Sequence, residues 1–246
     1  MKIALVTGAS IGLGLEWCRQ LSSSGYKVIL TARDIEKAQE SVEQLISEGI
    51  NNLFPYKLDI ANLDQITDLA SWIEKLFGRL DLLINNAGIN SATRAKGNSE
   101  LQQKNFSLDR LETNEVLNML NINAIAPIMV SRGLKDLLIK GDNPKIINIG
   151  SWLGSITLKN NGGNYSYAVS KSALNMMNRA LAFDLKNLGI TTVVVNPGWV
   201  QTNMGGSKAR FTPQEAVNNI ILNVVNEIQL EHTGSFLNYT GQVHPW

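Results

Sequence analysis

Eight residues decide the fold, Thr7-Gly8-Ala9-Ser10-Ile11-Gly12-Leu13-Gly14, because they join a short apolar run at residues 2–7 to a helical pattern that begins at Leu15. Glycines at a strand-to-helix turn let the backbone bend tightly and approach a ligand closely. The start of the helix offers free N–H groups and the positive end of a dipole, which suit a pyrophosphate. The turn therefore predicts a nucleotide site, with a pure packing role as the alternative.

The rest of the chain alternates short apolar runs with amphipathic stretches. Strands are predicted at residues 2–7, 27–31, 53–58, 80–84, 145–150, 190–195 and 235–239. Helices are predicted at 15–24, 34–48, 62–77, 113–138 (with a candidate kink at Pro127), 165–188 and 213–228. This alternation predicts an α/β fold, a doubly wound parallel sheet of about seven strands flanked by helices. We expect a single domain over residues 1–246, since no repeat or linker interrupts the pattern.

The composition excludes several classes of protein. The 246 residues carry a formal net charge of +1, with 44% hydrophobic and 17% charged residues. This balance argues against a nucleic-acid or membrane partner, and no apolar run reaches signal-peptide or membrane-spanning length. We therefore expect a cytoplasmic protein. With Cys18 as the only cysteine and only two histidines, neither a disulfide framework nor a metal site is expected.

The end of the second predicted strand bears on the choice of cofactor. In dinucleotide-binding sheets an acidic residue at this place binds the ribose 2′-hydroxyl, whereas a nearby arginine accepts a 2′-phosphate. Ala32 stands where the acid is expected, and Arg33 follows it. The pattern favours NADP(H), while the neighbouring Asp34 leaves NAD(H) open. The alternative is that Arg33 is a solvated surface cation and that Asp34 caps the next helix.

Further candidates follow the other strands. Asp59 comes after the third strand and either accepts a hydrogen bond from an adenine amino group or caps the next helix. The run Asn85-Asn86-Ala87-Gly88 offers small residues and amides as a wall for a flat ring. The turn Pro197-Gly198 follows the sixth strand and faces the same edge of the sheet. Thr202, just beyond it, either bonds a carboxamide or stabilises its own turn.

Tyr167 and Lys171 stand four residues apart in a predicted helix, so both side chains project from one face. A nearby ammonium lowers the pKa of a phenol, which is ordinarily about 10. A tyrosine tuned in this way exchanges a proton with a carbonyl oxygen near neutral pH. The spacing alone is weak, because two residues on an amphipathic helix produce it by chance.

Taken together, these motifs resemble the short-chain dehydrogenase/reductase family, and the resemblance covers essentially the whole chain. It implies a Rossmann-like fold. The motifs that carry it are residues 7–14, Asp59, residues 85–88, Asn123, Ser151, Tyr167 with Lys171, and Pro197-Gly198. Two smaller stretches narrow the resemblance. Residues 30–34 resemble the NADPH-dependent carbonyl reductases. Residues 197–206, with the ending Pro245-Trp246, resemble the branch of bacterial C-factor-like proteins and insect sniffer-type carbonyl reductases.

The resemblance implies the site residues. Tyr167 is then the general acid/base, and Ser151 bonds the substrate oxygen. Lys171 binds the nicotinamide ribose and lowers the pKa of Tyr167, and Asn123 orders a water that links Lys171 to solvent. The implied cofactor contacts are Gly8, Ser10, Ile11, Gly12, Gly14, Arg33, Asp59, Ile60, Asn86, Ala87, Gly88, Tyr167, Lys171, Pro197, Gly198, Val200 and Thr202.

Two features depart from the family pattern. Ser151 lies 16 residues before Tyr167, more than is usual, whereas Ser155 lies 12 before it. We prefer Ser151, because it directly follows a predicted strand. The second departure is the long polar segment 89–112, which is either a lid or a surface insertion. Trp152, Trp199 and Met204 are expected either to line an apolar pocket or to serve packing.

The leading hypothesis is an NADP(H)-dependent oxidoreductase that transfers a hydride between the nicotinamide and a small-molecule carbonyl or alcohol. The alternative is a dinucleotide-binding regulatory or signalling protein, motivated by the C-factor-like resemblance. A serine hydrolase built on Ser151 is disfavoured, since Gly150-Ser151-Trp152 is not a nucleophile elbow. The family often pairs through its longest helices, so a homodimer or homotetramer is a further expectation.

Overall fold

The predicted parallel sheet is present. A computed structural model describes residues 1–90 and 107–246. Within them, seven strands form one sheet in which each neighbouring pair is parallel. The strands are β1 (Ile3–Val6), β2 (Lys27–Ala32), β3 (Leu53–Lys57), β4 (Leu82–Asn85), β5 (Lys145–Ile149), β6 (Thr191–Asn196) and β7 (Phe236–Asn238). Their order across the sheet is β3-β2-β1-β4-β5-β6-β7.

Helices connect these strands and cover the sheet. The α-helices are α1 (Gly12–Ser23), α2 (Ile35–Ser47), α3 (Leu63–Phe77), α4 (Thr113–Leu120), α5 (Ala126–Gly133), α6 (Lys135–Ile139), α7 (Tyr165–Lys186) and α8 (Pro213–Ile220). Short 3₁₀ turns lie at Leu108–Arg110, Trp152–Gly154 and Leu230–His232, and π-helical turns at Asn121–Ile125 and Ile221–Val225.

Both faces of the sheet are buried, which explains why the strands are continuous apolar runs rather than alternating ones. Every residue of β1 and of β4 is buried. On one face, Trp17 of α1 and Val217 of α8 belong to the core. On the other face, Ile66 of α3 and Val130 of α5 do so.

The position of β1 between β2 and β4 creates the crevice for a ligand. Ala4 pairs with Val28 of β2 on one side and with Leu82 of β4 on the other. The strand order reverses here, and ligands of such sheets bind outside the carboxyl ends of the strands at this point. The turns that follow Val6 and Asn85 both open at this edge.

Two carboxylates near this edge have different local roles. Asp34 caps α2 and accepts a hydrogen bond from the Glu36 N–H at 3.0 Å, so the capping interpretation of Asp34 is confirmed. Asp59 does not cap α3, because Asn62 is the cap residue and accepts from the Gln65 N–H. The Asp59 carboxylate instead accepts from the Ala61 N–H at 3.0 Å, within its own turn.

The helix predicted over 113–138 is broken, although not as a simple kink at Pro127. The π-helical turn Asn121–Ile125 separates α4 from α5, and Pro127 lies in the first turn of α5. Proline has no N–H and cannot donate to the carbonyl of Asn123 four residues earlier, so the α-helical pattern cannot continue through this turn. The helix predicted over 213–228 likewise ends in a π-helical turn after Ile220.

The long segment predicted over 89–112 is described only at its two ends, because residues 91–106 lie outside the described residues. None of the described helices combines the length and the apolar character needed to cross a membrane. Across residues 1–90 and 107–246, no group of three or more His, Cys, Asp or Glu side chains is placed to hold a metal ion.

We expect Gly14→Ala to lower the free energy of unfolding by about 1–3 kcal/mol, because it overpacks the turn. An added Cβ would overlap the Gly8 carbonyl oxygen and lie 2.6 Å from Asn86 Nδ2. Urea unfolding measures the change. Gly162→Ala is the matched control, since a Cβ there meets nothing within 4 Å. Equal stability of the Gly14 variant and the wild type would contradict this account of the turn.

Candidate active site

The glycine turn presses against the segment that leaves β4. Gly8 has a φ of +61°, and a Cβ on it would lie 2.9 Å from Ala87 Cα. Gly12 has a φ of +58°, and a Cβ on it would lie 3.3 Å from the methyl group of Thr202. Side chains at these positions would collide with Ala87 and crowd Thr202, so glycine lets the turn pack directly against both neighbours.

Hydrogen bonds hold the ends of β1 and β4 together beside this turn. The Thr7 hydroxyl accepts from the main-chain N–H groups of Asn86 and Ala87, each at 3.0 Å. The Asn86 amide donates to the carbonyls of Thr7 and Gly8 at 3.0 and 3.1 Å. Asn86 thus ties the glycine turn to the end of β4, and its amide nitrogen already has two acceptors within the protein.

The N-terminus of α1 is open to an anion. Ile11 stands at the cap position, its side chain accepts no N–H, and it is 61% exposed. The side chains of most caps satisfy one of the free N–H groups of the first turn, and here that does not happen. Free N–H groups at the positive end of a helix dipole are a seat for phosphate oxygens.

Arg33 supplies a cation at the neighbouring strand end. It is exposed and forms no hydrogen bond or ion pair with the described residues. Asp34, by contrast, is occupied as the cap of α2. The guanidinium is therefore available to a bound anion, whereas the nearest carboxylate already has a partner.

Helix α7 brings Lys171 into the crevice. Lys171 is buried, and its Nζ donates to the carbonyl of Ile149, at the end of β5, at 2.8 Å. The same Nζ lies 5.7 Å from the centroid of the Tyr167 ring. Burial disfavours the charged form and lowers the pKa of Lys171 to about 8.

Ser151 and Tyr167 meet beside this lysine. The Ser151 hydroxyl accepts from the Leu153 N–H at 3.2 Å and so caps the turn Trp152–Gly154. Burial raises the pKa of Tyr167 to about 12, and a hydrogen bond from Ser151 acts in the opposite direction. The expectation that Lys171 lowers this pKa below the ordinary value is wrong for this structure, because desolvation dominates and the ammonium faces Ile149.

Ser155 is turned away from this pair. It is buried, donates to the Trp246 main-chain oxygen at 3.1 Å and accepts from the Leu158 N–H at 3.1 Å. Its spacing from Tyr167 fits the family better, but its hydroxyl is used elsewhere. The geometry therefore favours Ser151 as the serine of the site.

Asn123 joins the segment after β4 to α7. Its amide donates to the Ile89 carbonyl at 2.8 Å and accepts from the Ile89 N–H at 2.8 Å. It also donates to the Ser170 hydroxyl at 3.0 Å, and Ser170 donates to the Tyr167 carbonyl at 2.7 Å. A Cβ on Gly88 would lie 3.2 Å from Asn123 Oδ1 and 3.9 Å from Lys171 Nζ, so these groups border one space.

Ser170 is a site residue that the sequence reasoning missed. It is fully buried and bridges Asn123 to the helix that carries Tyr167 and Lys171. The available signal was its place three residues after Tyr167, which puts a small polar side chain near the tyrosine on the helix surface.

The loop after β6 closes the other side of the crevice. Gly198 has a φ of +79°, and a Cβ on it would lie 2.9 Å from the Phe211 ring. The Thr202 hydroxyl accepts from the Gly205 N–H at 3.1 Å, which matches the turn-stabilising alternative.

Two of the predicted pocket residues lie in this loop. The Met204 sulfur lies 4.0 Å from the Tyr167 hydroxyl. Trp199 is half exposed, and its indole N–H donates to the Gly205 carbonyl. Of the predicted pocket residues, Met204 therefore reaches the tyrosine.

Comparison with known proteins agrees with this arrangement. A family model described as short chain dehydrogenase matches residues 2–212. The C-signal of Myxococcus xanthus is 34% identical over 169 residues, which are 69% of this chain and 94% of that protein. NADPH-bound carbonyl reductase from chicken fatty liver superposes with a TM-score of 0.86 at 30% identity, covering 100% of both chains. Carbonyl reductase Sniffer of D. melanogaster gives a TM-score of 0.86 at 29% identity, covering 100% of this chain and 99% of its own.

Proposed function

The chain belongs to the short-chain dehydrogenase family, and we propose that it uses NADP(H) to interconvert a carbonyl compound and an alcohol. Membership makes it an NAD(P)-dependent oxidoreductase. The observation that carries the finer proposal is the position of buried Lys171. Its Nζ bonds the Ile149 carbonyl, at the end of the strand that leads to Ser151, and lies 5.7 Å from the centroid of the Tyr167 ring.

The crevice fits a dinucleotide. The uncapped start of α1, which follows the glycine turn, suits a pyrophosphate. Arg33, free of protein partners among the described residues, suits a 2′-phosphate, which separates NADP(H) from NAD(H). The NADPH-bound carbonyl reductase at 30% identity supports this assignment. When bound, the cofactor supplies or accepts the hydride.

Other residues along the crevice would complete the cofactor site. The adenine end would lie near Asp59 and Ile60, and the nicotinamide end near the loop after β6. The full set proposed is Gly8, Ser10, Ile11, Gly12, Gly14, Arg33, Asp59, Ile60, Asn86, Ala87, Gly88, Tyr167, Lys171, Pro197, Gly198, Val200 and Thr202.

Tyr167 is the acid in carbonyl reduction and the base in alcohol oxidation. With a pKa of about 12, its phenol is protonated at neutral pH and ready to donate to a carbonyl oxygen. As the carbonyl carbon gains a hydride, the oxygen gains the phenol proton and becomes a hydroxyl. Ser151 donates a second hydrogen bond to that oxygen and stabilises the charge that develops on it.

Lys171 supplies the next proton. Its pKa of about 8 lets it change charge state near physiological pH, unlike an exposed lysine. We assign Asn123 the role of maintaining the path along which protons pass between Lys171 and solvent. Its amide bonds Ile89 on one side and Ser170 on the other. The phenolate left on Tyr167 is reprotonated through this path.

A second candidate function is regulatory. The similarity to the protein named C-signal supports a dinucleotide-binding protein whose catalysis is incidental. The intact set Asn123, Ser151, Tyr167 and Lys171 supports the enzyme instead. A screen of aldehydes, ketones and quinones with NADPH and NADH separates the two: NADPH binding without turnover of any compound favours the regulator.

We expect Tyr167→Phe to lower the rate of carbonyl reduction by about 10²- to 10⁴-fold, because it removes the acid. The dissociation constant of NADPH, measured by fluorescence titration, should change less than about twofold, since only one oxygen is lost. Tyr165→Phe is the matched control. It removes a phenolic hydroxyl from the same helix, two residues before Tyr167, and should keep full activity. An unchanged rate of carbonyl reduction in the Tyr167→Phe variant would contradict the proposed mechanism.

We expect Arg33→Ala to weaken NADPH binding by about 10- to 100-fold and to leave NADH binding unchanged, because only NADPH carries the 2′-phosphate. Titration with each dinucleotide measures this difference. Arg132→Ala, which removes an exposed arginine on α5, is the control and should alter neither affinity. Equal losses for NADPH and NADH would show that Arg33 does not read the 2′-phosphate.

The rate of carbonyl reduction should depend on the charge of Lys171. Its pKa is lowered to about 8, so the ammonium predominates below that pH and the neutral amine above it. We expect a constant rate below about pH 8 and a fall of up to about tenfold per pH unit above it. Lys171→Arg keeps its charge across this range but cannot release its proton, so its rate should be lower than that of the wild type and should not decline with pH. A flat wild-type profile between about pH 6 and 10 contradicts a proton supply through Lys171.

A further inference from the structure

The residues 243–246, here called the tail, pack on β7. Val243 forms an antiparallel bridge with Leu237, and the His244 N–H donates to the Phe236 carbonyl at 2.7 Å. The ring of Phe236 then lies 4.7 Å from the His244 ring and 5.6 Å from the Trp246 ring, measured between centroids. The tail therefore has a defined seat.

The tail also holds the loop that follows Ser151. The Trp246 main-chain oxygen accepts from the Thr157 N–H at 2.7 Å and from the Ser155 hydroxyl at 3.1 Å. Ser155 in turn accepts from the Leu158 N–H at 3.1 Å. One oxygen of the tail thus receives two donors from the loop, and Ser155 organises the loop around that contact.

This loop contact is close in the chain to the catalytic serine. A single 3₁₀ turn, Trp152–Gly154, separates Ser151 from Ser155, and Ser151 caps it. The inner side of the turn is fixed on α7, because the Gly154 carbonyl accepts from Ser172 and Asn175. A Cβ on Gly150 would lie 3.4 Å from the Phe236 ring, so the ring that seats the tail also supports the residue before Ser151.

We propose that the tail braces the segment that carries Ser151, and that Ser155 and Trp246 are positioning residues for the carbonyl chemistry. The inference rests on the proposed function, because it assigns a purpose to Ser151. It also explains the long loop before Tyr167. Ser155 lies at the spacing from Tyr167 that the family pattern predicts for the catalytic serine, but it attaches the loop to the tail instead.

Small displacements at this place matter chemically. In the proposed mechanism the Ser151 hydroxyl and the Tyr167 phenol must both reach one substrate oxygen. A misplacement of about 1 Å in such an arrangement costs about 100-fold in rate. Releasing the loop from the tail therefore acts on kcat through Ser151, and leaves the cofactor site on the other strand ends unchanged.

The first test compares Ser155→Ala and Trp246→Ala with wild type. Ser155→Ala removes one oxygen only and so keeps the fold. We expect kcat for carbonyl reduction to fall about fivefold to tenfold, with the NADPH dissociation constant unchanged. Trp246→Phe keeps a ring on Phe236 and should restore most of the rate lost in Trp246→Ala. Ser22→Ala, which removes another buried serine hydroxyl bonded to a main-chain carbonyl, is the matched control and should keep its kcat.

A double-mutant cycle shows whether Ser155 acts through Ser151. If it does, Ser155→Ala should cost less than about twofold in a Ser151→Ala background, because the positioned group is already absent. A cost as large as in the wild-type background overturns the positioning role. So does an unchanged kcat in Ser155→Ala.

Hydrogen exchange keeps this inference separate from the proposed function. The amides of residues 152–158 should exchange faster in Ser155→Ala and Trp246→Ala than in wild type, whether or not the protein turns over a carbonyl. Unchanged exchange overturns the brace. Absence of wild-type turnover, with faster exchange in the variants, overturns the proposed function and leaves the brace supported.

Discussion

A buried ammonium needs a hydrogen-bond acceptor, and the site depends on how Lys171 finds one. Its Nζ donates to the Ile149 carbonyl at 2.8 Å, at the end of β5. An unpaired charge in this position would be expensive, so the bond ties α7 to that strand end. Because Ser151 lies two residues further on, the same bond sets Ser151 against Tyr167. One contact between a helix and a strand end therefore fixes the relative positions of Ser151, Tyr167 and Lys171.

A second set of contacts orients this assembly towards the dinucleotide crevice. The Asn123 amide bonds Ile89 and Ser170, and so connects the segment after β4 with α7. The π-helical turn that carries Asn123 is the local cost of this arrangement, since Pro127 offers no N–H to continue the α-helix. Thr7 and Asn86 complete the connection to the glycine turn. The glycine turn and α7 are thus both bonded to the segment that follows β4.

Ser151 and Ser155 show a choice between candidate site residues that the local sequence pattern does not decide. Counting from Tyr167 favours Ser155, while proximity to a strand end favours Ser151. The structure separates them through a partner 91 residues away, since Ser155 donates to the Trp246 main-chain oxygen. The sign of the pKa shift at Tyr167 is a similar case. A lysine one helical turn away argues for a lower pKa, yet burial raises it, and burial depends on everything packed around the ring.

The sequence by itself determined the parallel sheet, the glycine turn at its reversal point, and the helix that presents Tyr167 and Lys171. These follow from apolar runs, glycine spacing and helical periodicity, which act over a few residues. It also contained the Asp34 cap, whose partner lies two residues away. Only the tertiary structure decided which serine meets Tyr167, where the helix around Asn123 breaks, and that desolvation governs the titration of the tyrosine. Those outcomes depend on contacts between distant segments, and no local pattern encodes how closely such segments approach.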